Sequence, residues 1–185
     1  VVDYNELNRE QYQTNVYRSE YFLPYFDDMT QGLNGGDFIV VFAGTKGYKT
    51  TLLKLLAQAA LESKQENILV ASQEQSVLAF AQQFDTLALG ESHTKLRRGI
   101  DDEMMARIKK VEARLKKYPN RMYITPQITN VAQLHEHISS LNLPTDKPIR
   151  KIFIDGLNLM QSDSNNSYFF FMKVCVLLYL FSLIY

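Results

Sequence analysis

At 185 residues the chain can bury the core of one α/β domain and is too short for two of ordinary size. Its 20 Lys plus Arg balance 20 Asp plus Glu, so whole-chain charge supports neither nucleic-acid nor membrane affinity, although the sum leaves open a basic lining confined to one surface. The single cysteine, Cys175, excludes an intramolecular disulfide and fits a reducing interior, while His135 and His137, two apart on an expected helix, and His93 in a loop argue against a zinc or iron centre.

Residues 1–25 are polar, with apolar positions too irregular to fix a period, and read as an arm or linker. Phe26 to Asp37 is turn-rich and leads into Phe38-Ile39-Val40-Val41-Phe42, an apolar, β-branched run that predicts a buried strand. Ala43-Gly44-Thr45-Lys46-Gly47-Tyr48-Lys49-Thr50-Thr51 then reads as a tight loop, with a helix from Leu52 whose apolar face carries Leu52, Leu53, Leu56, Ala59 and Ala60. Strand, loop and helix in this order form a phosphate cradle: backbone N–H groups and the helix dipole face the anion, and a lysine reaches the outer phosphates. The pattern G-x-x-x-x-G-K-[ST] fits only when anchored on Lys49 and Thr50, which puts Ala43 and Tyr48 where glycines normally stand. Tyr48 must therefore point outward, with dihedrals suited to a residue other than glycine.

Asn67 to Ser72 predicts a second buried strand, and Val77, Leu78, Phe80, Ala81 and Phe84 a helix. Between them Glu74 has two readings, a carboxylate aimed into a site at the strand's end or a first-turn residue favoured by the dipole. Glu91 to Arg98 is a loop with a basic tip, followed by a helix through Ile100, Met104, Ile108, Val111 and Leu115 whose terminal charges match its dipole. Arg121 to Thr125 is a third strand, Val131, Leu134, Ile138 and Leu141 mark another helix, and Lys151 to Met160 contains an apolar strand ending on Asp155. Strands alternating with helices predict a mostly parallel sheet whose right-handed crossovers bring Lys49, Glu74 and Asp155 to one rim. There Lys49 and the loop amides would hold phosphates, Thr50 and Asp155 would hold Mg²⁺, and Glu74 would orient and deprotonate an attacking water.

From about residue 26 to 160 the chain resembles the RecA-like ATPase core of the DnaB-type replicative DNA helicases. The resemblance is carried by Phe26 to Thr51 (entry turn, strand and phosphate loop), by Ala71-Ser72-Gln73-Glu74-Gln75-Ser76 (the segment of the catalytic glutamate), by Leu96 to Glu103, and by Ile152 to Met160 (the aspartate-ended strand). It implies a P-loop α/β core that binds ATP through residues 43–51 and uses Mg²⁺ on Thr50 and Asp155, with Lys49 and Glu74 catalytic. It also implies a homo-hexameric ring on single-stranded or forked DNA, with primase or other replication proteins as partners, at a replication fork in the cytoplasm, or in the host cytoplasm if phage-encoded. Lys46 and Tyr48 depart from the family pattern and look more like some phage enzymes of this fold. They keep a strand-exchange recombinase and a nucleotide-binding remnant without turnover as alternatives.

Residues 161–185 form an atypical tail, almost wholly apolar from Tyr168 onward with Lys173 its only charge. A membrane anchor is not expected, because the stretch barely reaches spanning length and carries that lysine. A buried strand or helix is one alternative. The abrupt change in composition after residue 160 favours another, a carboxyl part replaced by readthrough, frameshift or an unspliced insertion. On that reading the core is incomplete at its C-terminal end, lacks the DNA loops and the basic finger of the family, and is not expected to separate strands alone.

Overall fold

A computed structural model describes residues 18–34, 36–44, 46–63, 67–92, 94–95, 99–160 and 174–179. Its elements are β1 (Arg18–Ser19), α1 (Pro24–Thr30), β2 (Leu33–Asn34), β3 (Phe38–Phe42), α2 (Lys49–Glu62), β4 (Asn67–Ser72) and α3 (Val77–Leu89). They continue with α4 (Asp102–Leu115), β5 (Met122–Thr125), α5 (Val131–Ser140), β6 (Ile149–Asp155), a short 3₁₀ turn (Leu157–Leu159) and β7 (Val174–Tyr179).

The main sheet has the order β3-β7-β6-β4-β5. Strands β4, β5 and β6 pair in parallel, and β7 runs antiparallel to both β6 and β3. It follows that β3 points the same way as β6, so four strands share one direction and their carboxyl ends share one rim. This is the α/β core with a mostly parallel sheet expected of the alternating strand and helix pattern, and it agrees with the RecA-like fold that the resemblance implies. The tail contributes β7, which lies between the two site-bearing strands, whereas the remainder of 161–185 falls outside the described residues. Among the described residues no helix is long and apolar enough to cross a membrane.

Alternation along the strands divides the core into two layers. Ile68 and Val70 of β4 and Phe153 of β6 pack on Leu53, Leu56, Ala57, Ala60 and Leu61 of α2 and on Phe80 and Phe84 of α3. Leu69, Ala71, Ile152 and Ile154 face the other way, onto Ile128 and Leu134. The helix ends follow their sequence signals: Ser76, Asp101 and Asn130 accept from the N–H groups of Ala79, Met104 and Gln133, and Gly90 closes α3 in the left-handed conformation. Because Ser76 is the cap, Glu74 precedes α3 and is not a first-turn residue.

Three expectations are revised. The start of the turn-rich entry segment is helical, since Pro24 sits at the first helical position and the Asp27 carboxylate accepts from the N–H groups of Tyr21 (2.6 Å) and Leu23 (3.1 Å); Gln31 in the left-handed region then ends α1. Strand β3 is not buried: Phe38 and Phe42 are both 54% exposed, and among the described residues β3 stands at the end of the sheet with β7 as its neighbour. Helix α2 begins at Lys49 rather than at Leu52. Within the basic tip Lys95 pairs with Glu91, which also binds Arg107, and Leu96, Arg97 and Arg98 lie outside the described residues.

Candidate nucleotide site

The loop between β3 and α2 is a compact turn. Gly47 N–H donates to Gly44 O at 3.0 Å, and a Cβ on Gly47 would stand 2.7 Å from the Ala43 Cβ and 2.9 Å from Gly44 O, so this position admits only glycine. Lys46 and Tyr48 both adopt left-handed backbone, with φ of 62° and 55°. Tyr48 points outward as expected, being 79% exposed, but its dihedrals are those that glycine favours and not ones suited to a bulky residue. The family-like glycine is thus missing at the position that needs one. Lys46 is exposed, Thr51 is half-buried in the first turn of α2, and Thr45 lies outside the described residues.

Tyr48→Gly should therefore stabilise the fold by about 1 kcal/mol, the strain relieved exceeding the glycine's extra freedom in the unfolded chain, since so exposed a ring loses little packing. Urea denaturation should show a higher midpoint at unchanged slope; an unchanged or lower midpoint would mean that Tyr48 is not strained.

Lys49 Nζ donates to the carbonyls of Ala43 (2.9 Å) and Gly44 (3.0 Å), which curls the ammonium over the mouth of the loop. One residue on, Thr50 Oγ1 donates to both oxygens of Asp155, at 3.1 and 2.9 Å. This bond spans the site, joining the start of α2 to the end of β6. Asp155 is fully buried, and burial pushes its carboxyl above the usual carboxylate range. The Thr50 hydrogen bond pulls it back, Glu74 pushes it up, and the charges of Lys54 and Lys49 pull it down.

Glu74 stands at the same rim. Asp155 O accepts from Gln73 N–H at 2.9 Å, and Gly156, with φ of 87°, lies so close to the Glu74 loop that a Cβ there would approach the Gln73 Cβ to 3.1 Å and the Glu74 Cγ to 3.2 Å. Glu74 is exposed and faces solvent at the edge of the site. The structure thus brings Lys49, Thr50, Asp155 and Glu74 together, as the chain's alternating pattern implied.

Other residues of the site were not singled out from sequence. Ser72 pairs in register with Asp155 on the neighbouring parallel strand, so both side chains leave the same face of the sheet; the Ser72 Oγ and the Gln73 Nε2 are buried with no hydrogen-bond partner. A buried hydroxyl without a partner beside a buried carboxylate and the Thr50 hydroxyl suits a hard cation with oxygen ligands that keeps several waters. Gly156 could have been found as the glycine after a strand-ending aspartate. Lys54, one helical turn beyond Thr50 and only 2% exposed, interrupts the run Leu52-Leu53-Lys54-Leu55-Leu56, and that interruption was its signal.

The family model described as DnaB-like helicase C terminal domain matches residues 21–169. None of the curated proteins matches the chain.

Proposed function

Because the chain belongs to the DnaB-like helicase C-terminal domain family, whose members are replicative helicases that generally use ATP and Mg²⁺, form hexamers and bind single-stranded DNA, we propose that it binds and hydrolyses Mg-ATP at the β3–α2 loop, and that in the complete protein this drives DNA unwinding in a ring. The single observation that carries this reading is the Thr50–Asp155 hydrogen bond, which joins the phosphate loop to the aspartate-ended strand.

Each residue has a role its chemistry fits. Lys49 leaves the Ala43 and Gly44 carbonyls for the outer phosphates, and the loop N–H groups with the start of α2 supply the remaining positive field. Thr50 and Asp155 would hold Mg²⁺ directly or through water, and a cation there would supply positive charge to offset that of the phosphates. Glu74 accepts a proton from the water as its oxygen bonds to the γ-phosphorus and the bond to the β-phosphate oxygen breaks. Asp155 is held in place by Thr50 on one side and by the sheet on the other, so its carboxylate would need little reorganisation to accept a cation in place of the hydroxyl's hydrogen bond. Residues 26–160 serve as the catalytic core in this reading, and primase or other replication proteins as partners at the fork.

Titration calorimetry tests it. Mg-ATP should bind at least about tenfold more tightly than ATP in the presence of a chelator, as expected when a divalent cation offsets the charge of phosphate and carboxylate together, and Asp155→Asn should remove most of that difference. Equal affinity with and without Mg²⁺, or no binding, would overturn the reading.

A further inference from the structure

Lys54 is the least expected side chain in the core. Its Nζ donates to Gln75 Oε1 at 3.1 Å and to Gln83 Oε1, and it sits 4.7 Å above the centre of the Phe80 ring. Gln75 Nε2 donates in turn to Gln83 Oε1 at 3.1 Å. These contacts are amide oxygens and a ring face, not a carboxylate within ion-pair distance. Burial pulls the Lys54 pKa down to about 8, with the charge of Asp155 working in the opposite direction. A cation buried on neutral partners contributes little net stability, since desolvation offsets most of what the hydrogen bonds return. Its position supplies a use. Lys54 lies one turn after Thr50 on the helix that carries Lys49, Gln75 immediately follows Glu74, and Gln83 belongs to α3.

We propose that Lys54 is a positioning residue that, through Gln75, fixes the Glu74 loop relative to the phosphate loop. The proposal rests on the hydrolysis reading above, in which Glu74 must meet a water beside phosphates held by Lys49. Two loops from different strand ends have to keep their spacing, and the hydrogen-bonded group of Lys54, Gln75 and Gln83 is a direct side-chain link between α2 and the Glu74 segment. Phe80, stacked on Phe84 in the core, anchors the underside of that group.

The test uses the full chain carrying Lys54→Met, which keeps the length and apolar character of the stem. Backbone amide exchange at residues 73–76, measured without nucleotide, should become at least about tenfold faster, as expected when a local tether is lost, with residues 43–50 unchanged. Thermal stability should not fall, because a buried charge is removed, and Mg-ATP affinity should stay within about threefold while turnover drops by about tenfold or more. Gln75→Leu should produce the same change in exchange, and the double variant should be no worse than either single one. Unchanged exchange at 73–76 in Lys54→Met, or effects that simply add in the double variant, would overturn the proposal. If Lys54→Met does not fold, Gln75→Leu alone decides, since unchanged exchange there is equally fatal. Failure of the parent to bind Mg-ATP would instead count against the hydrolysis reading.

Discussion

Lys49→Ala is expected to weaken Mg-ATP binding by about 100-fold, the loss that follows when one charged hydrogen-bond donor to phosphate is removed. In the structure the ammonium is occupied with Ala43 O and Gly44 O. Those carbonyls are neutral acceptors at a partly solvated loop, so exchanging them for phosphate oxygens gives hydrogen bonds in which donor and acceptor are both charged. Alanine leaves the loop amides and the helix dipole in place, which is why residual binding is expected rather than none. It also leaves α2 intact, because Lys49 is its first residue and its ammonium bonds to the loop carbonyls of Ala43 and Gly44 rather than within the helix. Titration calorimetry of the two proteins under matched salt decides the matter: equal affinities would remove Lys49 from the phosphate site.

Glu74→Gln should separate binding from chemistry. The substitution keeps shape and hydrogen-bonding capacity but removes the group that accepts a proton, so Mg-ATP affinity should be unchanged while turnover falls by roughly 100-fold or more, the usual contribution of a positioned general base. The surroundings favour so clean a separation. Glu74 is exposed, its loop is held by the Gln73 N–H bond to Asp155 O and by the close approach of Gly156, and neither depends on the Glu74 charge. Loss of the carboxylate also removes a charge that pushes the Asp155 carboxyl upward, so the cation side of the site should be no worse off. Single-turnover hydrolysis beside a binding titration is the measurement. A variant that hydrolyses as fast as the parent would reassign Glu74 to a solvated loop.

The parts of the site that could be read from sequence are those fixed by element order. An apolar strand, a Gly/Lys/Thr loop and a helix determine where Lys49 and Thr50 must stand, and a later strand ending on Asp155 determines its rim; the Thr50–Asp155 bond joins the two. Periodicity also located most strands and helices, because each buries a face whose spacing is written in the chain. What could not be read depends on partners distant in sequence. Phe38 and Phe42 are exposed where β3 ends the sheet among the described residues, and a five-residue apolar run has the same composition at the end of a sheet as in its middle. The burial of Lys54 depends in the same way on the juxtaposition of α2 with Gln75 and Gln83, which turns its stem inward. The left-handed backbone at Tyr48 was misjudged for a related reason: loop closure sets its dihedrals, and Tyr48 meets them at a cost.

The placement of β7 bears on the order in which the domain can assemble. Strands β4, β5 and β6 pair with one another, so they can form a sheet with α2, α3 and α5 packed on it as soon as residue 155 has been made. Among the described residues β3 is hydrogen-bonded into that sheet through β7, with Phe38 opposite Tyr179 and Phe42 opposite Val174. An early segment thus waits for a very late one, the kind of distant pairing that slows folding because loop-closure entropy is lost before any contact returns it. Until then one side of β6 and both sides of β3 offer open backbone, and β3 also presents two phenylalanines, the features that make a folding intermediate prone to association. The phosphate loop hangs from β3, so the nucleotide site is completed by the last pairing to form.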